Sequence, residues 1–214
     1  MVVARPGPSV TDTDAFPTFL FRFVHHTDSV EPQAYETYLD VITHEIFFVA
    51  FFSRFPYSPG ISPMFYSGPL PRPRPARLPV VEIRVSDLDA MGHILQWIYL
   101  QDSSRFLKRL LGEGLSASAG RLTEYNYRTR SRAGVPERLH GTLVETTLRI
   151  MTNLPRTSAA NDILRRRLLQ IDAVFQLADE LGLDDDTFWR TLAVARRLVF
   201  DICAIRHQQT LRSP

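Results

Sequence analysis

Residues 78–102 read LPVVEIRVSDLDAMGHILQWIYLQD, and the fold turns on how this stretch is parsed. Val81, Ile83 and Val85 alternate with Glu82 and Arg84, the period of two expected of a half-buried strand. Ser86 stands where a helix N-cap belongs, with Asp89 three residues on, placed to reach back to the cap's own N–H. Leu88, Met91, Leu95 and Ile98 then recur at helical spacing, and Ile94, Trp97 and Tyr99 widen the stripe until Gln101-Asp102-Ser103 breaks it. The stretch predicts a strand, a sharp cap and an amphipathic helix over 87–100. Leu88, Leu95 and Ile98 are expected in the core, with Trp97 packed on a neighbouring element. Asp89, His93 and Gln96 are expected on the outward face, which makes them the candidate partner contacts.

Upstream, residues 1–15 carry turn formers and nothing to bury, and are expected to be a tail. In Phe16–His25, Phe19, Phe21 and Phe23 alternate with Leu20, Arg22 and Val24, a strand covered on both faces. Tyr35–Ile42 is expected to pair back on it as a hairpin. A short buried helix is expected over Ile46–Phe55, ended by Pro56. The connector 56–79 is proline-dense, with Pro69, Pro71, Pro73 and Pro75 alternating with Leu70, Arg72 and Arg74. Such a segment favours extended polyproline II and is excluded from a sheet interior. Only Pro56 and Pro59 have P-x-x-P spacing, so a spacer fits better than a docking ligand.

Downstream, residues 104–160 form an insertion expected to hold one helix. Ser104–Leu111 extends briefly before Gly112, Gly114 and Gly120 interrupt it, and 112–134 is expected to be a mobile loop. In that loop Arg121, Arg128, Arg130 and Arg132 stand beside Tyr125 and Tyr127, a combination that can bind single-stranded nucleic acid by charge and stacking. A solvated loop explains the same residues. Pro136 fits the first position of a helix, kept amphipathic to Asn153 by Leu139, Leu143, Thr147 or Leu148, and Ile150. Asn161 or Asp162 is expected to cap the next helix, whose stripe is Leu164, Leu168, Ile171, Phe175 and Ala178, with Gly182 as its stop. Asp184–Asp186 start a last helix with Phe188, Leu192, Ala195, Val199 and Ile202 in register. Two such stripes predict an antiparallel helical hairpin on the core. Residues 207–214 are expected to be a tail, leaving 16–206 as one domain.

A chain of 214 residues, 44% hydrophobic and 11% aromatic, is long enough to bury a single core. The net charge of +2 is too small to argue for nucleic acid unless gathered on one face. Cys203 is the only cysteine, which excludes an internal disulfide and a cysteine-rich zinc site. The longest apolar run, Ile46–Phe52, is too short to span a bilayer, and the first residues lack a signal-peptide core. A soluble intracellular protein without cofactor is the expectation.

Catalytic patterns are missing as well. His44-Glu45 continues into Ile46 and Phe47, so H-E-x-x-H is absent, as are G-x-S-x-G and the glycine loops that cradle phosphates. Cys203 falls within an apolar helical pattern, the setting of a structural thiol. The run Arg165-Arg166-Arg167 lies between the inward Leu164 and Leu168 and is expected on a solvated face, the alternatives being a nuclear localisation signal or, together with the arginine-tyrosine loop at 121–132, a nucleic-acid contact. A non-enzymatic protein is therefore expected.

Three segments carry a family resemblance. DVITHEIFFVAFFSRF (Asp40–Phe55) resembles the BTB/POZ signature of a strand running into a histidine and a buried helix, with His44 as that histidine and Ser53 as the serine near the helix end. VVEIRVSDLDAMGHILQWIYLQD resembles the next BTB segment, and LLQIDAVFQLADELGLDDDTFWR the helical segment beyond. The proline-arginine connector, the insertion and L-x-W-I-Y-L are similar to those of the basidiomycete clampless proteins. The resemblance implies an α+β fold with a small sheet of about three strands covered by helices. It further implies a nuclear or cytoplasmic regulator of clamp-cell formation and sexual development, acting through contacts with mating-type or other developmental transcription factors and able to form homo-oligomers. The helix that commonly precedes the first strand in BTB dimers has no counterpart in the fifteen residues ahead of it here, and a cullin-adaptor role does not carry over.

Overall fold

The computed structural model describes residues 19–25, 38–43, 50–54, 64–66, 78–119, 122, 139–155 and 157–212. The tail at 1–15, the first part of the helix expected at 46–55, and most of the proline connector lie outside them.

Four strands, β1 (Phe19–His25), β2 (Tyr38–Thr43), β3 (Met64–Tyr66) and β4 (Leu78–Val85), form one sheet in the order β2-β1-β4-β3. β1 and β2 make the expected antiparallel pair, with Arg22 opposite Asp40. The guanidinium grips that carboxylate with two 2.9 Å hydrogen bonds and lies 4.4 Å from the centre of the Tyr38 ring. β4 runs parallel to β1, so Phe21 and Phe23 stand beside Val81 and Ile83. Those residues and Val85 are buried against the helices, while Leu20, Val24 and Val80 are buried on the opposite face. β1 is thus covered on both sides, as expected from a strand whose residues on both faces are largely apolar.

The connector, expected to be excluded from a sheet interior, supplies β3, a three-residue strand at the edge of the sheet antiparallel to β4. Pro79 lies opposite Phe65, one residue before the β1 pairing begins at Val80. A proline near a strand's start removes no hydrogen bond the ladder needs.

Among the described residues five α-helices follow: α1 (Leu88–Leu100), α2 (Ser103–Ser116), α3 (His140–Asn153), α4 (Ser158–Glu180) and α5 (Asp186–Arg212). The architecture is mixed α+β and mostly helical. In α1, Met91, Ile94, Leu95, Trp97 and Ile98 are buried; Leu88 is half-buried against the core and Tyr99 is exposed. The cap is Asp87 rather than Ser86: its Oδ1 accepts from the Ala90 N–H at 2.8 Å, while Ser86 Oγ turns to Glu180. In α3 it is Thr147 that is buried and Leu148 that is exposed, and the helix starts at His140, after Pro136.

The segment 104–160, expected to hold one helix, holds α2 and α3 and the start of α4. Phe106, Leu107, Leu110, Leu111 and Leu115 of α2 are buried in the same cluster as α1 and α5. Gly112 breaks α2 with φ 74° and ψ 167°, a conformation open to glycine. Leu115, Ala119 and Leu122 are buried, so 112–119 and Leu122 are packed rather than part of a loose loop; the rest of 112–134 lies outside the described residues.

α4 and α5 form the antiparallel hairpin. Arg196 meets Asp172 at 2.6 Å and Arg206 meets Asn161 at 2.8 Å, the crossed numbering that antiparallel helices impose. The N-cap of α4 is Thr157, not Asn161 or Asp162. Ile171, Val174, Leu177 and Ala178 are its buried stripe, whereas Phe175 is exposed and stacks edge-on with Trp189. At its end Gly182 takes φ 66°, with Gly182 N–H donating to Asp179 O and Leu183 N–H to Ala178 O, a Schellman stop. Phe188, Leu192, Ala195, Val199 and Ile202 of α5 are all fully buried. α5 continues to Arg212, so residues 207–212 extend a helix and are not a tail.

Two long-range ties lock this hairpin to the rest. Trp97, 2% exposed, donates its indole N–H to Asp185 at 3.0 Å and packs its ring against Phe106 and Phe188. Asp185 also caps α5 through the Thr187 and Phe188 N–H groups. Residues 51–54 lie against the α4–α5 turn: Ser53 N–H and Oγ both donate to Gly182 O, and Asp184 N–H donates to Phe51 O.

Candidate docking groove between α1 and α4

The first turns of α1 and the middle of α4 diverge at the surface and leave an open groove of about 580 Å³. Asp87, Asp89 and Ala90 line one wall; Ile163, Arg166, Leu169 and Ala173 line the other, with Arg167 and Gln170 between them. Ile163 and Leu169 lie outside the α4 stripe and remain 45% and 59% exposed. Asp89 and Arg166 are both exposed, so one wall offers an acid and the other a base.

A polar relay lies beneath. Arg167 donates to Gln170 Oε1 at 2.8 Å, and the Gln170 amide stands 2.8 Å from His93 Nε2. With the oxygen of Gln170 committed to Arg167, its NH₂ donates and His93 Nε2 accepts, which puts the imidazole proton on Nδ1. His93 is thus neutral, and burial, aided by the nearby Arg109 guanidinium, lowers its pKa to about 4. The Arg167 guanidinium lies over Gly112, where a Cβ would come within 2.5 Å of it. The break in α2 thereby makes room for the arginine that orients the relay.

His93 was expected on the outward face of α1, but it is 4% exposed because α4 crosses over it through Gln170. It underlies the groove rather than meeting solvent. Gln96 is half-buried, and its Oε1, like His93 Nδ1, has no hydrogen-bond partner among the described residues. Of the three candidate contacts, Asp89 alone is freely exposed. On the arginine run, Arg165 and Arg166 do face solvent, while Arg167 is half-buried in the relay. Arg121, Tyr125, Tyr127, Arg128, Arg130 and Arg132 all lie outside the described residues.

Sequence reasoning missed the α4 wall. Its signal was Ile163 and Leu169, large apolar residues off the buried stripe and either side of Arg166. Elsewhere, Arg206 is buried and holds the α3–α4 link by donating to Asn161 Oδ1 and to the Leu154 and Pro155 carbonyls. Burial also raises the pKa of the half-buried Cys203 thiol. Among the described residues there is no group of three or more metal-ligating side chains, and no helix long and apolar enough to cross a membrane. No protein-family model, no curated protein and no solved structure matches this chain.

Proposed function

We propose that the protein is a non-enzymatic protein–protein interaction module that docks a segment of its partner in the α1–α4 groove. One observation carries this reading: an open groove with two exposed large apolar side chains, an acid on one wall and a base on the other. Such a surface fits a peptide segment with an apolar anchor, a basic residue toward Asp89 and an acidic residue toward Arg166. Apolar contact supplies affinity, and the two charges fix the orientation. The β1–β2 hairpin, parallel β4, α1 and the terminal hairpin follow the order expected from the BTB/POZ resemblance, and that order supports the reading. On the same resemblance the partner is a mating-type or other developmental transcription factor, and the role is regulation of fungal sexual development and clamp-cell formation, in the nucleus or cytoplasm.

The test is co-precipitation of such a factor by the wild type and by Leu169→Asp, with Leu211→Asp as control because Leu211 is 72% exposed and far along α5. Leu169→Asp should lose the factor and keep its melting temperature, while Leu211→Asp behaves as wild type. Equal capture by Leu169→Asp and wild type would overturn the assignment.

A further inference from the structure

The start of α4 and the end of α5 border a second open cavity, of about 340 Å³. Arg206 lines it although that residue is only 7% exposed. Its partners are all neutral: Nη1 donates to Asn161 Oδ1 at 2.8 Å, and Nη2 donates to the carbonyls of Leu154 and Pro155. These bonds use three of the five guanidinium N–H groups. No carboxylate meets Arg206 among the described residues, whereas a buried charge is ordinarily paired. Its charge reaches into the cavity: burial raises the thiol pKa of Cys203, on the same lining, and Arg206 works against that rise. Arg165 and His207 line the cavity too, are exposed, and have no hydrogen-bond or ion-pair partner among the described residues. Because Asn161 gives its oxygen to Arg206, its NH₂ is left to donate.

We propose that this cavity binds a phosphoryl group, at a site separate from the α1–α4 groove and sharing none of its lining residues. Two guanidinium groups and an imidazole line it against a single carboxylate, that of Asp162, so its field favours an anion. Asp162 is exposed and makes no ion pair with either arginine among the described residues, which leaves both guanidinium groups open to a ligand. The donors come from both helices: Asn161 and Arg165 on α4, Arg206 and His207 on α5. A phosphoryl group presents several acceptor oxygens in a tetrahedral array and can meet donors from two walls at once. A planar carboxylate presents only two oxygens and matches one guanidinium fork. The bound anion supplies the counter-charge that Arg206 lacks, in a cavity volume within the about 300–1,000 Å³ range of ligand pockets.

The test uses the chain's own probe. Cys203 is its only cysteine, so the rate of alkylation by N-ethylmaleimide reads occupancy of the cavity. A bound dianion covers the thiol and disfavours the thiolate, and both effects slow the reaction. The whole chain is titrated with inorganic phosphate, with chloride holding the ionic strength constant. Phosphate should protect Cys203 saturably. Arg165→Gln should raise the half-protecting concentration at least about fivefold, as the loss of a charge-assisted bond requires, and Asp162→Asn should lower it. Both residues are exposed, so the melting temperature of each variant should match wild type. Phenyl phosphate separates the two sources of the group: protection by it as well assigns the site to a phosphoryl group carried on a larger molecule, and protection by inorganic phosphate alone assigns it to the free ion. Absence of saturable protection overturns the proposal. So does equal protection by acetate, or an Arg165→Gln variant that phosphate protects as it does wild type.

Discussion

Replacing Asp185 with alanine removes two things at once, and a double-mutant cycle with Trp97 separates them. The carboxylate caps α5, accepting from the Thr187 and Phe188 N–H groups at 2.8 and 3.1 Å, and accepts from the Trp97 indole at 3.0 Å. Loss of a helix cap costs about 1 kcal/mol. Leaving the indole N–H of a tryptophan that is 2% exposed without a partner adds about 1–3 kcal/mol. Asp185→Ala should therefore destabilise the chain by about 2–4 kcal/mol. In Trp97→Phe the indole N–H is already gone, so there Asp185→Ala should cost only the cap, about 1 kcal/mol. The coupling between the two sites is then about 1–3 kcal/mol, measured by urea unfolding of the four proteins. A coupling below about 0.5 kcal/mol would refute the idea that α1 is fastened to the terminal hairpin through this bond.

Three further outcomes follow from the geometry. His93 titrates near 4 when folded and near 6.5 when unfolded, so its contribution to stability is fully present above the unfolded value and is lost as pH falls through the folded one. Between pH 7.5 and 4, the stability gap between wild type and His93→Leu should shift by about 3 kcal/mol in favour of the variant, and a constant gap would contradict a buried neutral imidazole. Gly182→Ala forces a left-handed residue and drives a methyl group onto Ser53 Oγ and the Arg54 backbone; it should cost at least about 1–2 kcal/mol, and a variant as stable as wild type would show the turn to be relaxed. Leu95→Ala should cost about 2–5 kcal/mol, whereas Asp89→Ala should stay within about 0.5 kcal/mol; comparable losses would show the burial of α1 to be misassigned.

Elements with a short-range signature were legible in the sequence. The alternation at Val81-Ile83-Val85 and the repeating stripe Phe188-Leu192-Ala195-Val199-Ile202 each report a face that must be buried, and each is buried. The caps slipped by a few residues because neighbouring side chains compete. Ser86 and Asp87 can both cap α1, and only the tertiary contact of Ser86 with Glu180 decides between them. Glycines at 112, 114 and 120 hid the packing of 112–119 and Leu122, because they read as helix breakers although Leu115, Ala119 and Leu122 are spaced four and three apart. β3 was hidden by the prolines around it, although a three-residue edge strand demands little of its sequence. The groove was half visible. Asp89 could be placed outward from its helix alone, but the burial of His93 depends on Gln170, 77 residues away, and no local pattern reports that.

Hydrogen exchange on the complex with a developmental transcription factor tests the docking groove most directly. Added protection should fall on residues 87–93 of α1 and 163–173 of α4, and nowhere on α3. Protection confined to other elements, with 163–173 exchanging as in the free protein, would contradict it.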